Sequence, residues 1–360
     1  MSQSIAEATL EAVCLSWAEE VGFHVVAGPA IAPGEPAAER SSYDQVILEG
    51  RLRAALDRLN PSVPADCLDD VVRRLERQEL PSLVQSNRLF HRWLVSGFPV
   101  EYRRTEGSIK GDLVRLVDFD HPEANDWLAI NQFTVIENGV NRRADVVLFV
   151  NGLPLVVMEL KNPADENATI WTAFNQLQTY KKQILSLMRF NEALVISDGT
   201  EARIGSLTAD KQRFMRWRTI EGEQLAPASM PQLEVLIKGA LDKRRFLDIV
   251  RSFIVFEDGD GDPVKILAAY HQYHAVLTAV EHTIEATRAS GDKRCGVVWH
   301  TQGSGKSLTM AFYAGRIIAH PAMDNPTIVV LTDRNDLDDQ LFETFHQCHE
   351  LLHQEPVQAQ

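Results

Sequence analysis

The sequence predicts an α/β fold arranged as two successive units. Strand-like apolar runs at 133–137, 144–150, 154–160 and 193–197 lie between helical segments, a pattern typical of a sheet with helices packed on it. Further along, a strand at 295–299, a glycine-rich loop, a helix and a second strand make a β-α-β pattern. The length of 360 residues also favours two domains over one.

Apolar spacing and helix-stop residues predict the remaining elements of the first unit. Residues 5–21 have helical spacing and end at Gly22, and 28–40 is rich in proline and glycine, which indicates a loop. Helical segments follow to about residue 97, and a long helix is expected at about 168–190.

The expected domain boundaries are 1–230 for the first unit, 231–264 for a helical connector and 265–360 for the second, truncated unit. The acidic turn 257–263 resembles a calcium loop, but Pro263 replaces the required glycine, so we reject a calcium site there. The elements predicted for the second unit are helices at 265–285 and 306–319 and strands at 295–299 and 327–332.

The bulk composition is that of an ordinary globular protein, with 45% apolar and 24% charged residues. No apolar run is long enough to span a bilayer, and the N-terminus lacks signal-peptide features. Four widely separated cysteines favour a reducing, cytoplasmic location. A net charge of −14 argues against a chain that coats nucleic acid over its whole surface, although a local basic groove stays possible.

A hairpin is predicted at Asn151-Gly152, and it determines how two acids are placed. A two-residue loop would put Asp145 and Glu159 on opposite faces, whereas a loop of three or five residues would pair them directly. We expect one of the odd loops, with Lys161 on the same face because strand side chains alternate.

Paired carboxylates beside a lysine suit phosphodiester hydrolysis. Two adjacent carboxylates repel each other unless a cation lies between them, and their hard oxygens favour Mg²⁺. Such a metal polarises a phosphoryl oxygen and acidifies a bound water, and Lys161 would orient that water or stabilise the developing charge. The alternative is a purely structural salt bridge between Lys161 and one of the acids.

The following helix carries a second polar pair. Gln176 and Tyr180 are stacked at i and i+4, away from the apolar stripe, and should face the acidic hairpin or solvent. The stripe itself comprises Ile170, Trp171, Phe174, Leu177, Leu185 and Met188.

Asp145, then Glu159-Leu160-Lys161, then Gln176-x-x-x-Tyr180, resembles the PD-(D/E)xK nuclease core. The Gln-x-x-x-Tyr extension is similar to that of RecB-type nucleases and type I restriction endonucleases. In that family the first helix supplies another glutamate, which the resemblance assigns to Glu11, with Glu7 as the competitor.

A glycine-rich stretch, "WHTQGSGKSLTM", follows the strand at 295–299. Glycines let backbone N–H groups approach phosphate oxygens, and a helix N-terminus favours their charge. Lys306 would reach the β- and γ-phosphates and Ser307 would bind magnesium, although His300 stands where the general pattern has its first glycine. The nucleotide-binding residues predicted here are Gly303, Ser304, Gly305, Lys306 and Ser307.

This stretch closely resembles the Walker A motif of type I restriction motor subunits, where the histidine is usual. The segment 265–276 looks like the adenine-recognition segment of that family, with Gln272 as the base reader. "TIVVLTDRNDLDDQL" resembles superfamily 2 helicase motif Ia, which assigns DNA contacts to Thr332, Asp333 and Arg334.

The resemblance covers nearly the whole chain and implies the R subunit of a type I restriction–modification enzyme. It implies a PD-(D/E)xK restriction-endonuclease-like domain followed by a partial RecA-like, superfamily 2 helicase domain. The implied activity is ATP-driven translocation and Mg²⁺-dependent cleavage of unmodified double-stranded DNA. The implied partners are the methyltransferase (M) and specificity (S) subunits, through which alone S-adenosylmethionine would be required.

The groups needed for ATP hydrolysis are incomplete in this sequence. No acidic D-E-x-H-like box follows residue 306 and no second motor lobe is present, so we expect weak nucleotide binding and negligible ATPase activity. The chain would then be an N-terminal portion of a longer polypeptide. The alternatives are a repair-type helicase–nuclease, a type III-like restriction subunit, or a non-catalytic DNA-binding or assembly module.

Overall fold

A computed structural model describes the backbone of residues 2–77, 80–103, 107–161, 169–222, 224–258, 261–333 and 335–358, and their side chains except those of 2–7, 335 and 336. The chain divides into two compact units, Met1–Leu247 and Asp248–Gln360. The predicted connector, 231–264, is therefore divided between the two units. Its first part belongs with the first unit, where Lys238 forms an ion pair of 2.6 Å with Glu20.

Eight α-helices are described in or at the end of the first unit, and the last of them crosses the unit boundary. They are α1 Ser2–Glu20, α2 Glu49–Leu59, α3 Ala65–Arg77, α4 Leu83–Ser96, α5 Ile170–Gln183, α6 Leu185–Met188, α7 Gln232–Ala240 and α8 Lys243–Ser252. The predicted helices before residue 97 are confirmed. The long helix expected at 168–190 is instead broken at Ile184, whose φ of −133° and ψ of 61° are not helical. Leu185 consequently lies outside the buried stripe, with 39% of its surface exposed.

The strands of the first unit form one six-stranded sheet and one two-stranded ribbon. They are β1 His24–Ala27, β2 Phe98–Arg103, β3 Ile109–Val114, β4 Trp127–Glu137, β5 Val140–Val150, β6 Leu153–Leu160, β7 Ala193–Ser197 and β8 Ala202–Gly205. The sheet order is β1-β4-β5-β6-β7-β8, with β1–β4 and β6–β7 parallel and the other pairs antiparallel; β2 and β3 form the ribbon. The predicted α/β class is confirmed, although the sequence did not reveal β1, β2, β3 or β8.

The centre of the sheet is buried on both faces. Every residue of β6 is buried, including its one acid, Glu159. Helix α1 packs against β1, β4 and β6, and α5 packs against β5, β6 and β7. A continuous apolar strand of this kind is stable only when layers cover both of its faces, so Glu159 is held inside the protein by its neighbours in the chain.

The β5–β6 hairpin reaches the expected register by an unexpected route. Its loop is the two-residue Asn151-Gly152, because Val150 pairs with Leu153. The expectation of a three- or five-residue loop is therefore wrong. An irregularity beyond Phe149 shifts the pairing by one residue, so that Val146 pairs with Met158. A bulge adds one residue to one strand, and this has the same effect on the register as an odd loop.

The described part of the second unit contains a hairpin and four α-helices: β9 Ile254–Glu257, β10 Val264–Leu267, α9 Tyr270–Thr287, α10 Lys306–Ala319, α11 Asn335–Gln347 and α12 His349–Leu352. Helix α10 has the predicted bounds, whereas the helix predicted from 265 begins only at Tyr270, after β10.

The strands predicted at 295–299 and 327–332 are not formed. Val297 and Leu331 are 93% and 88% exposed. Within the described part of the chain neither segment has a neighbouring strand, and an unpaired extended segment has no ladder to hold it.

None of the helices that the structure describes has the length and apolarity needed to cross a membrane.

Candidate active site

Three buried carboxylates converge where β5, β6 and α1 meet. Asp145 on β5, Glu159 on β6 and Glu11 on α1 are 8%, 2% and 5% exposed. The register in which Val146 pairs with Met158 places Asp145 opposite Glu159. The side chains of directly opposed residues share a face, so the two predicted acids lie side by side, with Glu11 contributing to the same electrostatic field.

The pKa of Asp145 is raised by its surroundings. Burial raises the pKa of Asp145 to about 8, and the negative charges of Glu159 and Glu11 add to the effect. The backbone N–H of Leu160, which donates to Asp145 Oδ2 at 2.7 Å, and the charge of Lys161 oppose it. A bound cation would relieve this repulsion, because it stabilises the charged form that burial disfavours.

Lys161 and Tyr180 hold the two oxygens of Glu159. Lys161 Nζ donates to Oε1 at 2.5 Å, and the Tyr180 hydroxyl lies 3.1 Å from Oε2. The same hydroxyl lies 2.8 Å from the carbonyl oxygen of Arg143, and Gln176 Nε2 donates to it at 3.3 Å. Burial, together with the Glu159 charge, raises the pKa of Tyr180, so the hydroxyl keeps its proton for donation.

The ion pair between Lys161 and Glu159, which the structural alternative requires, is thus present. The negative charges of Asp145 and Glu11 lie in the same region, so this pair is not the whole of the site. Gln176 and Tyr180 face the acidic hairpin, which is one of the two orientations expected from the sequence. The structure therefore brings together Asp145, Glu159, Lys161, Gln176, Tyr180 and Glu11; the side chain of the competitor, Glu7, lies outside the described residues.

Gln132 is a site residue that the sequence did not reveal. It lies on β4 opposite Asp145, between two normally paired positions, with a left-handed φ of +54°. Its Nε2 donates to Glu11 Oε1, and Asn131 Nδ2 donates to Glu11 Oε2 at 3.4 Å. A non-glycine residue in this conformation is uncommon and costs energy, so neighbouring structure must hold it. No spacing or composition signal in the sequence marks this position.

The donor set fits a hard divalent cation. Two buried carboxylates on adjacent strands supply the oxygen ligands that Mg²⁺ prefers, and burial together with the nearby negative charges raises the pKa of Asp145, an effect that a bound cation would oppose. No group of three or more histidine, cysteine, aspartate or glutamate side chains suited to a metal occurs among the described residues. Any further ligands would be water, backbone or substrate oxygens, as is usual for Mg²⁺.

The glycine-rich loop of the second unit ends at the first turn of α10. Gly303 and Gly305 both have a φ of +77°, and Gly305 caps the helix in the left-handed conformation. The exposed Lys306 donates to the carbonyl oxygens of His300 at 3.0 Å and Thr301 at 3.1 Å. The loop thus has the glycine turns and helix N-terminus that suit phosphate, while its lysine contacts the loop's own backbone.

Ser304 and Ser307 complete the predicted loop residues. Ser304 Oγ donates to the Thr301 carbonyl at 2.7 Å, and the half-buried Ser307 lies in the first turn of α10.

Gln272 connects α9 to this loop. It is 6% exposed, and its Nε2 donates to the Gly305 carbonyl at 3.0 Å and to Thr309 Oγ1 at 3.3 Å. Its Oε1 accepts from the backbone N–H of Ala269 at 2.9 Å. The structure brings Gln272 to the predicted nucleotide site, but base reading would require one of these bonds to be exchanged.

The predicted DNA-contacting residues do not follow a strand. Thr332 Oγ1 donates to Asp338 Oδ1 at 3.3 Å, and Asp333 is exposed, whereas Arg334 lies outside the described residues. The expected strand end is absent because 327–332 is unpaired.

Comparisons with known proteins bear on both units. A family model described as "Type I restriction enzyme R protein N terminus" matches residues 4–213, and one described as "SWI2/SNF2 ATPase" matches residues 271–360. The chain is similar to the type I restriction enzyme HindI endonuclease subunit of Haemophilus influenzae, with 43% identity over 98% of this chain and 34% of that protein. It is also similar to the putative type I restriction enzyme MjaIXP endonuclease subunit of Methanocaldococcus jannaschii, with 33% identity over 85% of this chain and 31% of that protein. The chain thus spans about a third of the length of these relatives.

Proposed function

Because the chain belongs to the type I restriction enzyme R protein family, we propose that its first unit is a PD-(D/E)xK nuclease domain that cuts duplex DNA with Mg²⁺. The observation that carries this proposal is the β5–β6 register, which places Asp145 beside Glu159 with Lys161 on the Glu159 carboxylate. A structural ion pair alone needs one carboxylate and one lysine, whereas here three carboxylates are buried in the same region and a buried charge is costly.

Each side chain has a role that follows from its contacts. Asp145 and Glu159 would hold Mg²⁺, which polarises the scissile phosphoryl group and acidifies a bound water. Lys161 is 18% exposed at the end of β6, where its ammonium would orient the attacking water and stabilise charge on the phosphate. Tyr180 would fix the orientation of Glu159, and Gln176 that of the Tyr180 hydroxyl.

We propose that Glu11 completes the acidic site from α1. Its two oxygens accept hydrogen bonds from the side chains of Gln132 and Asn131. These two residues of β4 would hold the carboxylate toward Asp145.

For the second unit we propose a nucleotide site at the Walker A-like loop, within part of a RecA-like motor domain. Backbone N–H groups at Gly303, Ser304 and Gly305 would surround the phosphates of ATP, Lys306 would leave the loop carbonyls to contact them, and Ser307 would bind the Mg²⁺ of the nucleotide. The match to a SWI2/SNF2 ATPase model supports this reading. Adenine reading by Gln272 and DNA contacts by Thr332, Asp333 and Arg334 belong to the same proposal.

The activity of the whole protein goes beyond this chain, which spans about a third of its relatives. We propose that the complete subunit translocates and cuts unmodified DNA in the cytoplasm, together with methyltransferase and specificity subunits that bring the S-adenosylmethionine requirement. The family membership favours this over a repair helicase–nuclease or a type III-like subunit. This chain alone should bind ATP weakly and hydrolyse it negligibly.

The test is cleavage of linear duplex DNA with Mg²⁺ by the wild type and by Asp145→Ala, Glu159→Ala and Lys161→Ala. Asp66→Ala, which removes an exposed carboxylate from α3, is the matched control, and circular dichroism checks each fold. We expect cutting or nicking by the wild type and the control and none by the three folded variants. An inert wild type would move the same comparison to the complete complex with ATP.

Titration calorimetry with Mg²⁺ separates the nuclease from a non-catalytic DNA-binding or assembly module. A nuclease site requires heat of binding that disappears in the Asp145→Ala, Glu159→Ala double variant. Cleavage that survives in the folded single variants would refute the assignment.

A further inference from the structure

A cluster of positive charge lies at the β8 edge of the sheet, in a chain whose net charge is −14. Among its residues lie two acids, Glu201 and Asp210. We call the five basic residues of β8 and of the segment that follows it the basic edge: Arg203, Lys211, Arg213, Arg216 and Arg218. Four of them are exposed and Arg203 is partly buried, so the cluster is available to a partner.

The sheet register connects the basic edge to the acidic site. Glu159 pairs with Ile196 across β6–β7, and Ile196 pairs with Arg203 across β7–β8. Directly paired residues share a face, and neighbouring strands lie about 4.8 Å apart. Arg203 is therefore on the same face as Glu159 and about 10 Å from it.

The segment after β8 continues this surface. Ile204 and Met215 form an antiparallel bridge, which lays the segment beside the edge strand. Arg203 and Arg216 both bind the Glu201 carboxylate, the former at 3.3 Å. Glu201 thereby holds two guanidinium groups together without cancelling their combined charge.

An aromatic side chain of α5, Trp171, contacts two of the basic residues. The guanidinium carbon of Arg203 is 5.0 Å from the Trp171 ring centroid, and Lys211 Nζ is 5.4 Å from it. Trp171 is half-exposed and nine residues before Tyr180 on α5, which is about 13 Å along the helix axis. The basic edge and the acidic site thus lie under opposite ends of one helix.

We propose that the basic edge binds the phosphate backbone of duplex DNA beside the phosphate cut at the acidic site. The proposal rests on the nuclease function above and names a surface that positions its substrate. Double-stranded DNA carries one phosphate charge per about 1.7 Å of axis, so phosphates a few base pairs from the cut lie within reach of a surface 10–13 Å away. Phosphate contacts of this kind position a protein on DNA without reading sequence.

The test compares two triple variants of the full chain that remove equal charge. Lys211→Gln, Arg213→Gln, Arg218→Gln changes the basic edge but spares Arg203 and Arg216, whose contacts support the fold. Arg73→Gln, Arg77→Gln, Arg103→Gln removes three exposed cations from α3 and β2 and is the control. Binding of a 30-base-pair duplex is measured against salt concentration in the Asp145→Ala background, where no cutting interferes.

Each lost phosphate contact lowers the slope of log affinity against log salt by about 0.9. We expect the edge variant to lower this slope by about 2–3 and the control variant to leave it unchanged. Equal slopes for both variants, or an unchanged edge variant, would overturn the proposal and leave an acidic protein surface as the partner of this edge. If the edge variant lowers the slope as expected but the wild type does not cut DNA, the result would count against the nuclease function and not against DNA binding by the basic edge.

Discussion

Replacing Asp145 with asparagine should stabilise the metal-free protein, although it removes a residue that we place at the centre of the site. Asparagine keeps the shape and the acceptor oxygen that Asp145 Oδ2 offers to the Leu160 N–H, and it removes the charge that burial and Glu159 oppose. The proposed active site is therefore expected to lower the stability of the metal-free protein, as functional sites often do.

The magnitude follows from the pKa. An aspartate with a pKa of about 8 in the folded protein and about 3.9 in the unfolded chain costs at most about 5–6 kcal/mol above pH 8. The folded pKa is the higher one, so this cost is absent below about pH 4 and grows as the pH rises toward 8. The gain in unfolding free energy of Asp145→Asn over the wild type should increase by up to about 1.4 kcal/mol per pH unit across that window.

The assay is urea-induced unfolding between pH 5 and pH 9, followed by the fluorescence of Trp127 and Trp217, which are buried in the first unit. Asp66→Asn serves as the control, because it makes the same substitution at an exposed position on α3. Adding Mg²⁺ should stabilise the wild type and narrow its difference from Asp145→Asn, because the cation binds the charged form.

Two results would refute this reasoning. A stability difference that does not change with pH would mean that Asp145 titrates normally. A variant less stable than the wild type at pH 8 without metal would mean that the carboxylate is compensated by contacts that stabilise the fold.

Three further predictions address the hairpin, the tyrosine and the loop lysine. Gly152→Ala should lower the melting temperature well below that of Gly139→Ala: both glycines have a φ of +78°, but a Cβ on the former would lie 2.5 Å from a backbone carbonyl and one on the latter would meet nothing within 4 Å. Equal decreases in melting temperature would show that the positive φ alone, and not the close contact, causes the loss of stability. Tyr180→Phe should cost about 1.5–3 kcal/mol of unfolding free energy and lower kcat for DNA cleavage with little change in KM, because it removes a hydrogen bond to the buried Glu159; an unchanged kcat would contradict the role. Lys306→Ala should weaken binding of a fluorescent ATP analogue without changing thermal stability, since the amine is exposed and donates to two loop carbonyls. Unaltered binding would place the nucleotide elsewhere.

The residue pattern was sufficient to predict the α/β class, the Asn151-Gly152 hairpin and the bounds of α10. These features depend on local spacing, turn chemistry and helix signals. The proximity of Asp145 and Glu159 was also predicted, because only two registers were open and the chemistry favoured one of them.

The prediction of strands at 295–299 and 327–332 was wrong because strand formation depends on more than local residue pattern. Their apolar residues have strand spacing, but a strand is stable only beside a partner, and none is paired with them in the part of the chain that the structure describes. The break in the long helix at Ile184, whose φ and ψ are not helical, was also not predicted from the residue pattern.

The sequence by itself determined which residue types stand at which spacing, and therefore the acids, the lysine and the Gln-x-x-x-Tyr pair of the site. Only the tertiary structure decided that a bulge, not a longer loop, sets the register, and that Gln132 holds Glu11. It also decided that Arg203, two strands away, shares the face of Glu159. The physical reason is that spacing along a strand or helix is local, whereas register and cross-strand neighbours depend on hydrogen bonds between segments far apart in the chain.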